Sequence, residues 1–168
     1  MDLLGDQAVL DSNALKGKTA LICGASRGIG AATARIMAKA GANVIIASRS
    51  EGQLKSLLEE LHALGNGQHR TLVMDLEETD SIEHTLQPIL DDGPIHILVN
   101  NAGGPPGGPL LNATVDELAQ PFTRHLHAAH TLVKLLTPGM IRANYGRIIQ
   151  IISTSVREPI PNLGVSNT

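Results

Sequence analysis

Residues 23–30 read CGASRGIG, three glycines in a turn between two segments of different character. The apolar run TALIC at residues 19–23 predicts a buried strand, and the alanine-rich stretch at residues 28–40 has the apolar spacing of a helix. Glycines allow a ligand close to the backbone, and a helix N-terminus presents free N–H groups and partial positive charge. The strand, turn and helix therefore predict a phosphate-binding site, although glycines also serve tight turns and close packing.

The rest of the chain continues this alternation of strands and helices. The further strands are predicted at residues 43–47, 70–74, 95–99 and 147–152, and the helices between them at residues 51–64, 79–90 and 114–142. Apolar strands separated by helices indicate a parallel sheet with helices on both faces. We expect an α/β, doubly wound, Rossmann-type fold with about five strands. Residues 16–168 form this domain, and residues 1–15 form an N-terminal extension.

Composition excludes several classes of function. Hydrophobic residues make up 42% of the 168 and charged residues 17%, which is typical of a packed domain. A net charge of −3 and only two aromatic side chains argue against nucleic-acid binding, and the apolar runs are too short to span a membrane. Cys23 is the single cysteine and the first residues lack a signal-peptide core, so we expect a cytoplasmic protein.

Four motifs together resemble the short-chain dehydrogenase/reductase family. They are GASRGIG at residues 24–30, DL at 75–76, NNAG at 100–103, and GRII at 146–149 leading to Ser153. Among family members the chain is most similar to divergent relatives of 3-oxoacyl-acyl-carrier-protein reductase. The resemblance implies an NAD(P)-binding domain and hydride transfer between nicotinamide and a small carbonyl or alcohol substrate, acyl thioesters included.

The resemblance also implies which residues bind the cofactor. The turn after the first strand would bind the pyrophosphate and adenine ribose, the residues after the third strand the adenine, and those after the fourth the rest of the cofactor. In that order they are Gly24, Ser26, Arg27, Gly28, Ile29 and Gly30; Asp75 and Leu76; and Asn101, Ala102 and Gly103. For Asp75 the alternative is a carboxylate that caps a turn or helix.

The end of the second strand distinguishes NADP(H) from NAD(H). An acidic residue there binds both ribose hydroxyls, but this chain has Ser48 followed by Arg49. Glu51 follows the glycine turn at about the spacing of the acidic residue that binds the ribose. We nevertheless place it in the first turn of the next helix, where the helix dipole stabilises an acidic side chain. Arg49 and Arg27 can converge on a 2′-phosphate, although either alone could be a solvated surface charge. We predict NADP(H) as the cofactor in preference to NAD(H).

The catalytic positions match the family only in part. Ser153 occupies the position of the family's serine, while Ser166 stands where the family has its tyrosine and His125 where it has an asparagine. The only tyrosine, Tyr145, precedes the fifth strand and is not the catalytic one. A serine hydroxyl is far less acidic than a phenol, whereas a histidine titrates in the useful range and could relay a proton.

Two hypotheses follow for the function. The first is an NADP(H)-dependent carbonyl reductase or alcohol dehydrogenase that uses Ser153, and the second is a catalytically degenerate NAD(P)-binding sensor or scaffold. The histidines of the long helix lack i,i+4 spacing, so we predict no metal site. Relatives continue past this sequence with a helix that bears a lysine, so we expect the domain to be incomplete at its C-terminus. The broad apolar surface of the long helix predicts a homodimer or homotetramer, as in the family.

Overall fold

A computed structural model describes residues 11–65 and 67–168 of the chain. Five strands form one parallel sheet in the order β3-β2-β1-β4-β5. The strands are β1 Thr19–Cys23, β2 Asn43–Ser48, β3 Arg70–Val73, β4 Ile97–Asn100 and β5 Arg147–Gln150. The helices are α1 Gly28–Lys39, α2 Glu51–Leu64, α3 Ile82–Asp92, α4 Val115–Pro121 and α5 Ala128–Arg142. This order confirms the predicted doubly wound sheet.

The side of the sheet on which successive strands are added changes between β1 and β4, although all strands remain parallel. From β1 the chain adds β2 and β3 on one side, and it then crosses to add β4 and β5 on the other. In an open α/β sheet such a change of side leaves a crevice at the carboxyl ends of the adjacent strands, where ligands bind. The glycine turn at residues 24–27 follows β1 at this point.

Two apolar layers, one on each face, hold the sheet between the helices. In β1, Ala20 and Ile22 pack into the layer under α1 and α2, whereas Leu21 and Cys23 pack into the layer under α3 and α5. All four side chains are completely buried. The burial of both faces explains why the strand sequence is continuously apolar rather than alternating.

The long helix predicted at residues 114–142 is interrupted. Its central part, Phe122–His127, is a π-helical segment between α4 and α5. Pro121, the last residue of α4, has no backbone N–H to donate within a regular helix, so the helical ladder is broken at this point. A π-helical turn is rare and recurs at functional sites. The predicted helical stretch is therefore present from residue 115 to residue 142, but its centre is π-helical, which the prediction did not include.

Other element boundaries differ less from the predictions. The helix predicted at residues 79–90 starts as a 3-10 turn, Thr79–Ser81, before α3. The fourth strand begins two residues later than predicted, and the fifth ends two residues earlier. β5 is exposed at all four of its residues, so the helices cover the central strands and not this edge.

The predicted N-terminal extension lies partly outside the described residues. Its described end is attached to the domain, because the Leu15 N–H donates to the Ala40 carbonyl at 2.8 Å and the Leu15 side chain packs on the core. None of the helices within the described residues is long and apolar enough to cross a membrane.

The chain after β5 pairs with the loop after β4. Gly108 and Leu163 form an isolated parallel bridge. The Gly108 N–H donates to the Asn162 carbonyl at 2.6 Å, and the Gly164 N–H donates to the Gly108 carbonyl at 2.9 Å. The Asn167 side chain shapes the same segment, because its amide bonds both the N–H and the carbonyl of Ile160, at 3.2 and 2.9 Å.

Candidate functional site

A cleft of about 650 Å³ opens at the carboxyl ends of β1 to β4. Nearly all residues predicted to bind a cofactor line it, although they come from four separate stretches of sequence. These residues are Gly24, Ser26, Arg27, Gly28, Ile29, Ser48, Arg49, Asp75, Leu76, Asn101, Ala102 and Gly103. The remaining one, Gly30, lies behind the turn, where it packs against the backbone of Gly24.

The three glycines of the turn serve two different purposes. A Cβ on Gly24 would lie 2.5 Å from the Asn101 carbonyl oxygen, and one on Gly30 would lie 2.4 Å from the Gly24 carbonyl oxygen. These two positions need glycine for packing. Gly28 has a positive φ of 58°, but a Cβ there would meet nothing within 4 Å. Gly28 therefore leaves open space in the cleft at the first residue of α1.

The N-terminus of α1 is suited to an anionic ligand. Arg27 is its N-cap residue and makes no side-chain capping hydrogen bond, and the first turn contains no acidic residue. Uncapped N–H groups at a helix start attract phosphate through hydrogen bonds and the helix dipole. The residues present therefore fit the pyrophosphate of a dinucleotide.

The NNAG motif braces the glycine turn. The Asn101 side chain donates through Nδ2 to the carbonyls of Cys23 and Gly24, both at 3.2 Å. Its neighbour Asn100 is buried, and its Nδ2 has no hydrogen-bond partner among the described residues. The motif thus joins the end of β4 to the end of β1 across the floor of the cleft.

A charged cluster stands at the exit of β3. Asp75 Oδ1 accepts the N–H of Glu77 at 2.9 Å, which fixes a tight turn. The Nη1 atom of Arg49 lies 3.6 Å from Asp75 Oδ2 and 4.0 Å from Glu77 Oε1. The Arg49 side chain is 64% exposed, so it stands at the rim of the cleft and faces two carboxylates. Arg27 is also exposed and lines the cleft.

Arg124 is a cleft residue that the sequence analysis missed. Its Nε donates to Glu77 Oε1 at 2.9 Å, its Nη2 contacts the same oxygen, and its Nη1 donates to the Gly103 carbonyl at 2.9 Å. The next residue, His125, places Nε2 3.2 Å from that same carbonyl. The π-helical segment brings these two consecutive side chains to one acceptor. Ser50 and Gln53 also line the cleft and were not predicted.

The three predicted catalytic residues do not line the cleft. Ser153 Oγ accepts the Ser155 N–H at 3.1 Å and lies 2.7 Å from Ser155 Oγ. Ser155 Oγ is also 3.2 Å from the Ser166 carbonyl oxygen, so Ser155 connects two of the three candidates. Ser166 joins through its main chain, and no hydrogen bond of its hydroxyl is found within the described residues. His125 contacts Gly103 at the edge of the cleft and does not contact this serine cluster.

Two side chains have pKa values that bear on the chemistry. Partial desolvation lowers the pKa of His125, with the charge of Arg124 as a further cause, while the hydrogen bond to Gly103 opposes them. Burial raises the pKa of Cys23 to about 12, so this side chain remains a thiol. The lowered pKa leaves His125 neutral at neutral pH and able to accept a proton, whereas Cys23 is excluded as a nucleophile.

Tyr145 lies at the opposite end of the sheet from the cleft. It precedes β5, and its ring packs between the Lys18 ammonium, 4.1 Å from the ring centre, and the Arg147 guanidinium, 4.8 Å away. This position agrees with its exclusion as the catalytic tyrosine. Within residues 11–65 and 67–168, no cluster of histidine, cysteine and acidic side chains could hold a metal ion.

A parallel sheet of this order, with a glycine turn at its switch point, defines a dinucleotide-binding α/β domain. The sequence profile described as short chain dehydrogenase matches residues 18–165. The chain therefore belongs to the short-chain dehydrogenase family, as the motifs indicate.

Named relatives agree with this assignment. The chain is 38% identical over 154 residues to the 3-oxoacyl-[acyl-carrier-protein] reductase FabG of Vibrio harveyi, covering 91% of this chain and 61% of that protein. It is 36% identical over 147 residues to the ketoacyl reductase HetN of a Nostoc species, covering 87% of this chain and 51% of the relative. The crystal structure of L-sorbose reductase from Gluconobacter frateurii, complexed with NADPH and L-sorbose, superposes with a TM-score of 0.87 at 26% identity, covering 94% of this chain and 60% of that one. The chain spans between about half and three fifths of the length of these proteins.

Proposed function

We propose that this chain is an NADP(H)-dependent oxidoreductase that acts on a carbonyl or alcohol substrate resembling a 3-oxoacyl thioester. The open space beside Gly28 at the uncapped start of α1 carries the proposal, because it leaves room for a pyrophosphate next to free backbone N–H groups. The names of the relatives and the NADPH in the superposed reductase support it.

The residues of the cleft divide the binding of NADP(H) between them. Backbone N–H groups at the start of α1 hold the pyrophosphate, and Asp75 accepts a hydrogen bond from the adenine amino group. Arg49 and Arg27 at the rim attract the 2′-phosphate. When bound, the nicotinamide supplies or accepts the hydride.

Ser153 is the proposed donor to the reacting oxygen. Its Oγ accepts the Ser155 N–H, and it also accepts the Ser155 hydroxyl when the single hydrogen of that hydroxyl points to Ser153 and not to the Ser166 carbonyl, so that both lone pairs are occupied. The Ser153 hydrogen is then free to stabilise the negative charge that develops on a carbonyl oxygen. His125, neutral because its pKa is lowered, is a proton acceptor at the edge of the cleft and does not contact Ser153, whereas Ser166 stands in the position of the family tyrosine.

A second candidate function is cofactor binding without hydride transfer, as in a sensor or scaffold. The observation that favours it is the position of the single tyrosine, between Lys18 and Arg147 at the far end of the sheet. A serine at position 166 cannot match the acidity of a phenol. The cofactor cleft would be retained in either case.

We also propose a homodimer or homotetramer in the cytoplasm. Phe122 and Leu126 are one turn apart on the long helix and are 56% and 58% exposed. A second copy of this helix would remove both from water. Light scattering at micromolar concentration would show a multiple of the 17.7 kDa chain mass, and a mass of one chain would contradict the proposal.

Calorimetric titration and absorbance assays test the function together. We expect NADPH to bind saturably, and its absorbance to fall when a ketone, an aldehyde or a 3-oxoacyl thioester is added. Binding without oxidation of NADPH by any of these substrates would favour the sensor or scaffold. No binding of either nicotinamide cofactor would contradict both functions.

A further inference from the structure

One carboxylate oxygen of Glu77 faces two arginines at the rim of the cleft. Its Oε1 accepts Nε of Arg124 at 2.9 Å, is contacted by Nη2 of the same guanidinium, and lies 4.0 Å from Nη1 of Arg49. The contact with Arg124 is a two-nitrogen ion pair, whereas the contact with Arg49 is electrostatic only. The ion pair with Arg124 therefore fixes the position of the Glu77 carboxylate. In this position its negative charge also attracts Arg49.

This arrangement changes the electrostatic environment of the proposed phosphate-binding arginine. Arg49 faces Asp75 at 3.6 Å and Glu77 at 4.0 Å. With Arg124 included, two positive and two negative side chains form the cluster, so its formal charge is zero. A 2′-phosphate approaching Arg49 meets the field of the carboxylates as well as the attraction of the guanidinium.

We propose that Glu77 is a specificity-determining residue that weakens the preference for NADP(H) over NAD(H). It does so by competing with the 2′-phosphate for the positive charge of Arg49. This inference rests on the proposed function, since it requires that the cleft binds nicotinamide cofactors. NAD(H) has no 2′-phosphate, so its binding is insensitive to this competition.

Glu77 differs in this respect from the other acidic residue of the cluster. Asp75 points into the cleft, where it is assigned to the adenine, and its loss would weaken both cofactors. Glu77 is not among the residues that line the cleft, and it reaches the site only through the two arginines. Removing its charge therefore leaves the adenine contact intact and acts on the site through Arg49 and Arg124, and a variant at Arg49 tells the two routes apart.

The decisive variant is Glu77→Gln. Glutamine keeps an oxygen that can accept the hydrogen bonds of Arg124, and it removes only the negative charge. Glu78→Gln is the matched control, because Glu78 is the next residue, is exposed, and forms no ion pair within the described residues. The double variant Glu77→Gln/Arg49→Ala tests whether the effect passes through Arg49.

Calorimetric titration of the whole chain with NADP⁺ and NAD⁺ gives the two affinities without any need for turnover. In Glu77→Gln we expect the preference for NADP⁺ to rise about three- to tenfold, with NAD⁺ affinity unchanged and a smaller rise at high salt. Glu78→Gln should leave the preference as in the wild type, and Arg49→Ala should cancel the rise.

An unchanged preference in Glu77→Gln, an equal rise in Glu78→Gln, or a full rise in the double variant would each overturn the assignment of Glu77. These results are distinct from failure of the proposed function, which would appear as no binding of either cofactor by the wild-type chain. That last result would overturn the role of Glu77 as well.

Discussion

Asn101 and Gly24 lock together across the floor of the cleft. The Asn101 side-chain amide donates to the Gly24 carbonyl at 3.2 Å, and the Asn101 carbonyl oxygen lies only 2.5 Å from the position that a Cβ on Gly24 would occupy. The two residues are 77 positions apart in the sequence. Each motif therefore depends on the other: the asparagine needs the bare backbone of the glycine, and the glycine turn is held by the asparagine amide.

Alanine at Gly28 should mainly reduce NADPH binding, whereas alanine at Gly30 should mainly reduce stability. In Gly28→Ala the new methyl group enters open space in the cleft, so NADPH binding should fall by at least about tenfold. The positive φ at this position should cost about 1 kcal/mol of stability. In Gly30→Ala the methyl group meets the Gly24 carbonyl at 2.4 Å, so the main loss should be in the free energy of unfolding.

Urea denaturation followed by circular dichroism, together with NADPH titration, separates these two effects. Gly17→Ala is the matched control, since Gly17 also has a positive φ, 75°, a Cβ there meets nothing within 4 Å, and the residue does not line the cleft. Normal NADPH affinity in Gly28→Ala would refute the assignment of the pyrophosphate to this turn.

Arg49→Ala should weaken NADPH binding at least about tenfold and leave NADH binding nearly unchanged. A charge-assisted hydrogen bond to the 2′-phosphate contributes about 1.5–3 kcal/mol, and NADH lacks this group. Fluorescence titration with both cofactors measures the two affinities. Arg142→Ala is the control, because Arg142 is exposed in the last turn of α5 and does not line the cleft. An equal loss for both cofactors would reject the 2′-phosphate assignment.

Ser153→Ala should remove most of the NADPH oxidation while cofactor affinity stays within a few-fold. Loss of one hydrogen-bond donor to a developing oxyanion costs about 10²–10³ in turnover. Absorbance assays with the active substrate of the panel measure the effect. If activity survives in Ser153→Ala but is lost in His125→Ala, the proton route runs through the long helix instead.

Stability should decrease when the pH falls below the ordinary histidine pKa. The imidazole of His69 accepts the Val44 N–H through Nδ1 at 3.3 Å, and that of His96 accepts the Thr19 N–H at 3.0 Å. Protonation of Nδ1 abolishes each acceptor. Desolvation by burial is the main cause that lowers the pKa of both histidines, with nearby positive charge as a second cause.

A pKa lowered in the folded state fixes the sign of this dependence. The stabilisation is complete above the unfolded value of 6.5 and is lost as the pH falls through the lower folded value. Between about pH 7.5 and about pH 5 we expect a loss of about 1–2 kcal/mol in urea denaturation. The double variant His69→Asn/His96→Asn keeps an acceptor without titration and should flatten the profile. His84→Gln, at an exposed site, should not change it.

Backbone requirements made the fold and the glycine turn predictable from sequence, whereas the rest of the cleft, namely Asp75, Leu76 and the NNAG motif, was predicted from the resemblance to the family. The glycine turn and the strands beside it depend on local rules, namely apolar runs, helical periodicity and glycine conformations. Glu51 stands in the first turn of α2 as predicted, where it pairs with Lys55 at 2.7 Å. These rules predict only the conformation of residues that are close together in the sequence.

Contacts between distant segments were not predictable in this way. Glu77 and Arg124 are 47 residues apart, and no spacing rule connects them. The π-helical segment that aims Arg124 and His125 at one carbonyl depends on the break at Pro121, which the apolar periodicity of the long helix conceals. Side-chain charge pairing across the cleft is a tertiary property, so it emerged only from the structure.

Gly108 uses both its N–H and its carbonyl to hold the chain that follows β5. The loop after β4 and the segment ending at Gly164 therefore cannot move apart without breaking both bonds. They form one cooperative opening unit, and the amide hydrogens of Gly108 and Gly164 should exchange with solvent deuterium at a shared rate. Separation of these two segments is then governed by a single opening equilibrium rather than by two independent ones.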